Sequence, residues 1–237
     1  MINKKKVIAI IPARGGSKGL KNKNIKSLCE KPLIGWTIEK AKLSKYIDTI
    51  IVSTDDSKIA DIARDFGAEA PFLRPKKIST DTSPTFDAVM HAISFYENKN
   101  MNFDYIVLLE PTSPLREDTD IDNMLKKLED KSKNFDSIIS VGEIGEHPSI
   151  VKKIINEKIK PFEKSIKQTS RRQDNIPAYF PYGVAYIVKT KKFYEEKTFY
   201  TKRCTYYEIK RYQNYEIDDI YDFLSIENIM KYEWRLK

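Results

Sequence analysis

The residues with the clearest chemical potential form a short segment at positions 13–24, called the phosphate loop below. It follows an apolar, β-branched run at residues 7–11 and interleaves glycines with cations. These are Gly15, Gly16, Gly19, Arg14, Lys18, Lys21 and Lys23. Glycine lets backbone N–H groups approach a phosphate closely, and the cations supply charge. The pattern matches neither the P-loop nor the Gly-x-Gly-x-x-Gly dinucleotide fingerprint. It predicts a phosphate site, the alternative being a solvated basic turn.

A second candidate segment covers residues 108–116, where an apolar run leads into a proline-rich loop. Pro111 and Pro114 hold this loop rigid and extended. We expect Glu110, at the end of the predicted strand, to contact a substrate; an ion pair with a nearby lysine is the alternative. For Arg116 a functional contact and a surface ion pair both stay open.

A pair of carboxylates near the C-terminus is the candidate metal site. If residues 215–218 end a strand, Glu216 and Asp218 point to the same side because side chains alternate along a strand. Two carboxylates beside a phosphate site suit Mg²⁺. Asp219 lies at a predicted helix start, where a role as N-cap is the simpler explanation.

The elements that position these residues alternate between strand and helix patterns. The predicted strands cover residues 7–11, 49–53, 105–109, 137–141 and 184–188, and the predicted helices cover residues 33–43, 57–66, 85–97, 121–128 and 220–234. Ser57 is the expected N-cap of the second helix and Gly67 the residue that ends it. Alternation of this kind predicts an α/β fold with a mostly parallel sheet and helices on both faces. The candidate loops then meet at the carboxyl edge of the sheet, where open α/β sheets bind ligands.

The pattern changes near residue 143, and we interpret residues 143–181 as an arm or lid inserted into a single domain of residues 1–237. Residues 150–155 and 158–162 flank Asn156-Glu157 and predict a hairpin. Arg171-Arg172-Gln173 lies in the same segment and could bind a carboxylate or phosphate, or be a solvated pair. Tyr179 and Tyr182 are expected in the wall or core, with an organic substrate as the alternative partner.

The composition limits the partners that this chain can have. It has 237 residues and a net charge of +8, with 41% hydrophobic residues, which is too apolar for a disordered chain. No apolar run approaches the length of a membrane span, and two cysteines make no disulfide framework. The 33 lysines and 9 arginines are scattered, which argues against a nucleic-acid module. We therefore expect a cytoplasmic protein whose partners are small anions, with neither nucleic acid nor a membrane among them.

Taken together, the motifs resemble the CMP-sugar synthetases, also called acylneuraminate cytidylyltransferases. The resemblance covers nearly the whole chain, in the right order. The matching residues are Ala13 through Gly19, Lys23-Asn24, Ser53-Thr54-Asp55, Leu73-Arg74-Pro75, Pro111 through Arg116, Arg172-Gln173, and the pair Glu216 and Asp218. Each motif alone is moderately specific, whereas the set is highly specific.

The resemblance implies a Rossmann-like fold, a homodimer formed through the inserted arm, CTP as cosubstrate and Mg²⁺ as cofactor. The implied reaction couples CTP to an acidic 2-keto sugar, either sialic acid or a bacterial relative such as legionaminic acid. The implied catalytic residues are Arg14, Lys23 and Asp218, and the metal ligands Asp218 and Glu216. The implied nucleotide-binding residues are Ala13, Arg14, Gly15, Gly16, Ser17, Lys23, Asn24, Arg74 and Thr85. The implied sugar-binding residues are Glu110, Arg172, Gln173 and Tyr182.

Three residues depart from the family pattern. Glu110 stands where sialic acid enzymes usually carry Gln, Glu216 replaces the usual Asp, and Tyr182 replaces a frequent Asn. These departures leave a synthetase for another acidic sugar, such as keto-deoxy-octonate, as the nearest alternative. A nucleotidyltransferase acting on a sugar phosphate and a non-catalytic RNA-binding module are the further ones.

Overall fold

The computed structural model describes residues 1–162 and 176–236 and places a six-stranded sheet at the centre of the molecule. Its strands, in sequence order, are β1 (Val7–Pro12), β4 (Thr49–Ser53), β5 (Tyr105–Leu108), β6 (Ser137–Glu143), β9 (Tyr179–Lys189) and β10 (Cys204–Glu208). Two short pairs lie outside this sheet: β2 (Ser27–Leu28) with β3 (Lys31–Pro32), and β7 (Lys152–Ile155) with β8 (Lys158–Pro161). The spatial order of the central sheet is β10-β6-β9-β5-β1-β4.

The prediction of a mostly parallel sheet is confirmed. Strand β1 is parallel to both β4 and β5, and β10 is parallel to β6. Only β9 runs the other way within the described sheet, antiparallel to β5 and β6. The carboxyl ends of β1, β4 and β5 therefore meet at one edge, which is where the candidate loops begin.

Helices cover both faces of the sheet, as predicted. The described residues form α1 (Leu33–Leu43), α2 (Ser57–Asp65), α3 (Thr85–Glu97), α4 (Asp120–Glu129), α5 (Thr190–Glu196) and α6 (Ile220–Glu233). Side chains alternate across β1, so Ala9 packs in a core with α1, α2 and α4, while Ile10 packs in a second core with α3 and α5. No helix in residues 1–162 and 176–236 is long and apolar enough to cross a membrane.

A third core lies between α6 and the loops around the site. Phe223, Ile226 and Met230 of α6 pack with Leu115 and with Ile217, which is fully buried. The segment that carries Glu216 and Asp218 is thus attached to the body of the protein through Ile217. Burial of such a side chain contributes about 1.5–3 kcal/mol.

Several local predictions need correction. Residues 215–218 do not form a strand; instead the backbone N–H of Ile217 donates to the carbonyl of Thr112 at 2.9 Å. Ser57 is not the N-cap of α2, because the Asp56 carboxylate accepts from the backbone N–H groups of residues 58 and 59. Asp219, in contrast, caps α6, and its side chain accepts from the N–H groups of residues 221 and 222. The sequence pattern predicts neither strand β10 nor helix α5.

The segment predicted as an inserted arm begins and ends side by side on the sheet, because Glu143 of β6 pairs with Tyr179 of β9. The predicted hairpin is confirmed as β7 and β8. Its side chains Ile154 and Ile159 are 76% and 73% exposed. The predicted substrate residues Arg172 and Gln173 lie outside the described residues.

Candidate active site

A cavity of about 540 Å³ opens at the carboxyl edge of β1, β4 and β5. Nine of the sequence-predicted site residues line it: Arg14, Ser17, Lys23, Asn24, Arg74, Thr85, Glu110, Glu216 and Asp218. We call it the large cavity. The folding of the chain thus brings residues from all three candidate motifs to one place.

The phosphate loop is pinned to the end of the neighbouring strand. The N–H of Ala13, a buried residue, donates to the carbonyl of Ser53 at 3.0 Å, and the N–H of Gly15 donates to Asp55 Oδ1 at 2.9 Å. A side chain on Gly15 would meet Asp56, whereas one on Gly16 would meet nothing within 4 Å. The Gly15 amide is therefore used to hold the loop, and only the first of these two glycines is required by close packing.

The other end of the phosphate loop is joined to the carboxylate segment. Lys23 Nζ donates to the carbonyl of Ile217 at 2.6 Å and lies 3.4 Å from Asp218 Oδ1. Gly19 lies so close to this segment that a Cβ there would overlap the carbonyl oxygen of Asp218. Lys23 is 15% exposed, so its charge is directed into the large cavity. Lys21 is exposed and does not line this cavity.

Two carboxylates of the large cavity are in contrasting surroundings. Asp218 is 84% exposed, while Glu216 Oε1 accepts hydrogen bonds from Gly183 N at 2.5 Å and Ser113 Oγ at 3.0 Å. Glu216 is thus fixed in position by two hydrogen bonds, whereas the Asp218 carboxylate is exposed with Lys23 beside it.

Glu110 is a third carboxylate of the large cavity, and it is half-buried. Burial, followed by the nearby charge of Glu216, raises the pKa of Glu110 to about 7. No lysine pairs with it in the part of the chain that the structure describes, so the ion-pair interpretation of Glu110 is wrong. Its side chain approaches Gly183, where an added Cβ would lie 2.5 Å from Glu110 Oε2.

Arg116 is completely buried, which rules out the surface ion pair that the sequence left open. Its guanidinium donates to the carbonyls of Glu110 at 3.3 Å, Gly183 at 3.0 Å and Val184. Arg116 therefore ties the end of β5 to β9 directly beneath the large cavity.

The opposite wall of the large cavity carries cations and hydroxyls. Arg74 is only 6% exposed, and burial lowers the pKa of its guanidinium. Its Nε donates to Ser79 Oγ at 3.0 Å, and its backbone N–H donates to Thr54 at 2.6 Å. Thr85 begins α3 on the same side.

Asp81 also lines the large cavity, although the sequence motifs do not predict it as a site residue. Its carboxylate pairs with Arg14 through Oδ1 and with Lys18 through Oδ2, the latter at 2.7 Å. In sequence it stands within a run of serines and threonines, which is typical of an ordinary polar loop. Nothing local marks it, because its partners are more than 60 residues away in the chain.

A second cavity, of about 270 Å³, adjoins the first and shares Thr85 and Glu110 with it. We call it the small cavity. Aromatic and apolar side chains dominate its remaining wall: Phe86, Leu108, Tyr186, Phe193, Phe199 and Tyr200. The two cavities therefore differ in chemistry, the large one being charged and the small one aromatic, and they meet at Glu110.

Tyr182, predicted as a substrate contact, lies on β9 with its ring packed edge-on against Phe180 at 5.2 Å between centroids. Among the described residues it lines neither of the two cavities. Tyr186, four residues further along β9, lines the small cavity instead.

A divalent cation fits this site only together with a ligand. The described residues contain no cluster of three or more His, Cys, Asp or Glu placed to hold a metal ion. Glu216 and Asp218 supply two carboxylates. Mg²⁺ is commonly held by one or two carboxylates plus substrate phosphates, so these residues suit a metal that arrives with a polyphosphate.

Comparison with known proteins gives a consistent result. The family model described as cytidylyltransferase matches residues 8–234. The chain is 33% identical over 231 residues to the CMP-N,N'-diacetyllegionaminic acid synthase of Legionella pneumophila, a match covering 95% of this chain and 97% of that protein. It is 34% identical over 221 residues to the pseudaminic acid cytidylyltransferase of Campylobacter jejuni, covering 92% and 93%.

Some relatives are longer, and the fold itself is shared more widely. The chain is 33% identical over 218 residues to the N-acylneuraminate cytidylyltransferase of Escherichia coli, covering 92% of this chain but only 50% of that protein. It thus spans half the length of this relative. A solved structure titled CMP:2-keto-3-deoxy-manno-octonic acid synthetase complexed with CTP superimposes with a TM-score of 0.70 at 17% identity, covering 96% and 99% of the two chains.

Proposed function

Because the chain belongs to the cytidylyltransferase family, we propose that it transfers the CMP group of CTP to an acidic nine-carbon 2-keto sugar, releasing pyrophosphate. The observation that carries this proposal is the junction of two unlike cavities at Glu110. A cavity with cations and carboxylates suits a nucleoside triphosphate with its metal. The aromatic cavity beside it suits the ring and substituents of a sugar, since such sites combine apolar walls with a few polar groups.

In the proposed reaction the anomeric hydroxyl of the sugar attacks the α-phosphorus of CTP. The new bond joins that oxygen to phosphorus, the bond from the α-phosphorus to the bridging oxygen breaks, and pyrophosphate leaves. Charge develops on the phosphoryl oxygens and on the leaving group. Arg14 and Lys23 are the cations proposed to stabilise this charge, with Lys23 held by Ile217 and Asp218.

The remaining site residues have positioning roles in this proposal. Arg74, Asn24 and Thr85 bind the cytosine and ribose, supported by their places in the wall of the large cavity. Glu216 and Asp218 hold Mg²⁺ with the triphosphate, and this ion supplies positive charge to the phosphates. Asp218 is also the proposed acceptor of the hydroxyl proton, because its carboxylate lines this cavity and is 84% exposed.

The nonulosonic acids are the proposed sugar class, because proteins named for legionaminic and pseudaminic acid match over more than nine-tenths of both chains. Glu110 lies where the two substrates meet, so it is the proposed contact to a sugar substituent. Its carboxylate, when ionised, accepts hydrogen bonds and cannot donate them. A sugar that presents a hydroxyl or N–H to Glu110 is therefore expected to be preferred.

The exposed hairpin supports a homodimer as part of the proposal. Ile154, Ile159 and Phe162 are all more than 60% exposed, which is a large apolar surface for one hairpin. We place this surface in a contact between two copies of the chain. The free thiols of Cys29 and Cys204 suit the reducing conditions of the cytoplasm, where we propose that the reaction occurs.

The proposal is tested by measuring pyrophosphate release with CTP, Mg²⁺ and a panel of acceptors. We expect release with free legionaminic, pseudaminic or N-acetylneuraminic acid and none with sugar 1-phosphates. Lys23→Met should lower kcat/KM about 100- to 1000-fold, by analogy with the loss of one oxyanion-stabilising group. Lys21→Met, in the same loop but outside the large cavity, should change it little. Release with sugar 1-phosphates alone would contradict the proposal.

A further inference from the structure

The carboxylate of Asp81 occupies a position in the large cavity that suits a phosphate group. Its two oxygens reach two different cations of the phosphate loop, Oδ1 reaching Arg14 and Oδ2 reaching Lys18 at 2.7 Å. A phosphate group could bind the same two cations in the same way, with one of its oxygens to each cation. Asp81 and an incoming polyphosphate therefore compete for one pair of charges.

Asp81 lies in an exposed turn of the chain. Thr80, Asp81 and Thr82 are all exposed, and Thr80 and Ser83 hold this turn through a hydroxyl pair at 2.7 Å. In residues 1–162 and 176–236, the side chains that pair with the Asp81 carboxylate are those of Arg14 and Lys18 alone. The hydrogen bond from Lys18, with a further contribution from Arg14, holds the pKa of Asp81 below its usual value, so this competitor is ionised at neutral pH.

We propose that Asp81 is an internal counter-ion that occupies Arg14 and Lys18 until a polyphosphate displaces it, and so sets how strongly an anion must bind to enter the large cavity. The inference rests on the proposed function, since it takes Arg14 as a phosphate contact. Every ligand that uses this pair binds only to the fraction of molecules in which the pair is open. Weak anions therefore leave the cations paired, while CTP, with its further contacts to the cavity, displaces the carboxylate.

This arrangement has a distinctive consequence for binding. Removal of Asp81 should lower the Kd of CTP and of pyrophosphate by a common factor, because both ligands use the same pair of cations. For two exposed ion pairs this factor is about three- to tenfold. Cytidine, which has no phosphate, should bind the variant and the wild type equally.

The test is isothermal titration calorimetry of the full chain without divalent cations, using CTP, pyrophosphate and cytidine as probes. The variant is Asp81→Asn, and the control is Asp61→Asn on α2, which removes an equal charge from the exposed pair with Arg64 at 2.5 Å. We expect Asp81→Asn to tighten CTP and pyrophosphate by the same factor and to leave cytidine unchanged, and Asp61→Asn to change nothing.

Other outcomes overturn the inference, and they separate it from the proposed function. If the wild type binds CTP but Asp81→Asn binds CTP no more tightly, or more weakly, Asp81 is not a displaced competitor. Equal tightening by Asp61→Asn would show only a general effect of net charge. If the wild type binds neither CTP nor pyrophosphate, this inference fails; the proposed function fails as well only if CTP is still not bound when Mg²⁺ is added.

Discussion

Gly183 offers a sharp perturbation of the junction between the two cavities. Its N–H donates to Glu216 at 2.5 Å, and its carbonyl accepts from Arg116 at 3.0 Å. In Gly183→Ala the new Cβ would lie 2.5 Å from Glu110 Oε2, 2.7 Å from Glu110 Cβ and 2.9 Å from Ser113 Oγ. Glu110 and Ser113 must therefore both move to make room for the new methyl group. Because Glu110 is contacted at its Cβ, its whole side chain is displaced.

The size of the effect follows from these distances. Nonbonded carbon atoms prefer separations of about 3.5–4.0 Å, so Glu110 must retreat by about 1 Å. A misplacement of about 1 Å in a group that positions the substrate can cost about 100-fold in rate. The overpacking itself should lower the free energy of unfolding by about 1–3 kcal/mol, which leaves the protein folded at room temperature. Gly183→Ala should therefore be a folded enzyme with kcat/KM reduced about 100-fold, and with the KM of the sugar raised more than that of CTP.

The assay is steady-state pyrophosphate release combined with thermal melting of both proteins. Gly145→Ala is the matched control, because a Cβ at Gly145 meets nothing within 4 Å and Gly145 lines neither cavity. It should keep wild-type stability and a nearly unchanged rate. The reasoning is refuted if Gly183→Ala retains a rate within threefold of the wild type while its melting temperature is unchanged.

Three further predictions concern pH, assembly and metal. Burial raises the pKa of Glu110 to about 7 from 4.5, so the free energy of unfolding of the wild type should fall as pH rises between these values. Between pH 5 and pH 8, urea unfolding should show that Glu110→Gln gains roughly 2–3 kcal/mol of stability relative to the wild type; an equal pH dependence in the two proteins would contradict this. Ile154→Asp should shift the protein from dimer to monomer in sedimentation velocity, whereas Leu43→Asp, at another exposed apolar position, should not; a dimeric Ile154→Asp would exclude the hairpin contact. Asp218→Asn should raise the Mg²⁺ concentration for half-maximal activity at least about tenfold, and an unchanged Mg²⁺ titration would remove Asp218 from the metal site.

The central sheet and its helices could be predicted because burial imposes a regular pattern on the sequence. Strand β4 and helices α1 and α3 begin and end as the apolar periodicity indicates. Strand β10 escaped detection because Cys204–Glu208 lies at the sheet edge, where its residues are half-buried or exposed and carry no apolar run. The cap of α2 was misplaced by one residue because Asp56 and Ser57 are adjacent and both are good N-cap residues.

The site was predictable where a motif is local and unpredictable where contacts are distant in sequence. The phosphate loop carries its chemistry within a dozen residues and follows a recognisable strand. Asp81 and the aromatic wall of the small cavity carry no local signal, since Phe199 and Tyr200 reach Glu110 only through the tertiary fold. Arg116 shows the same limit, because its sequence position at a loop end gives no sign of complete burial.

The central claim is that one enzyme joins CMP from CTP to an acidic keto sugar, and product identification tests it most directly. Purified protein is incubated with CTP, Mg²⁺ and a free nonulosonic acid, and the products are followed by ³¹P NMR and mass spectrometry. The account predicts one new phosphodiester with the mass of the CMP-sugar, formed in equal amount with pyrophosphate. CTP consumed to CMP and pyrophosphate without any CMP-sugar, or no consumption with any nonulosonic acid, would contradict it.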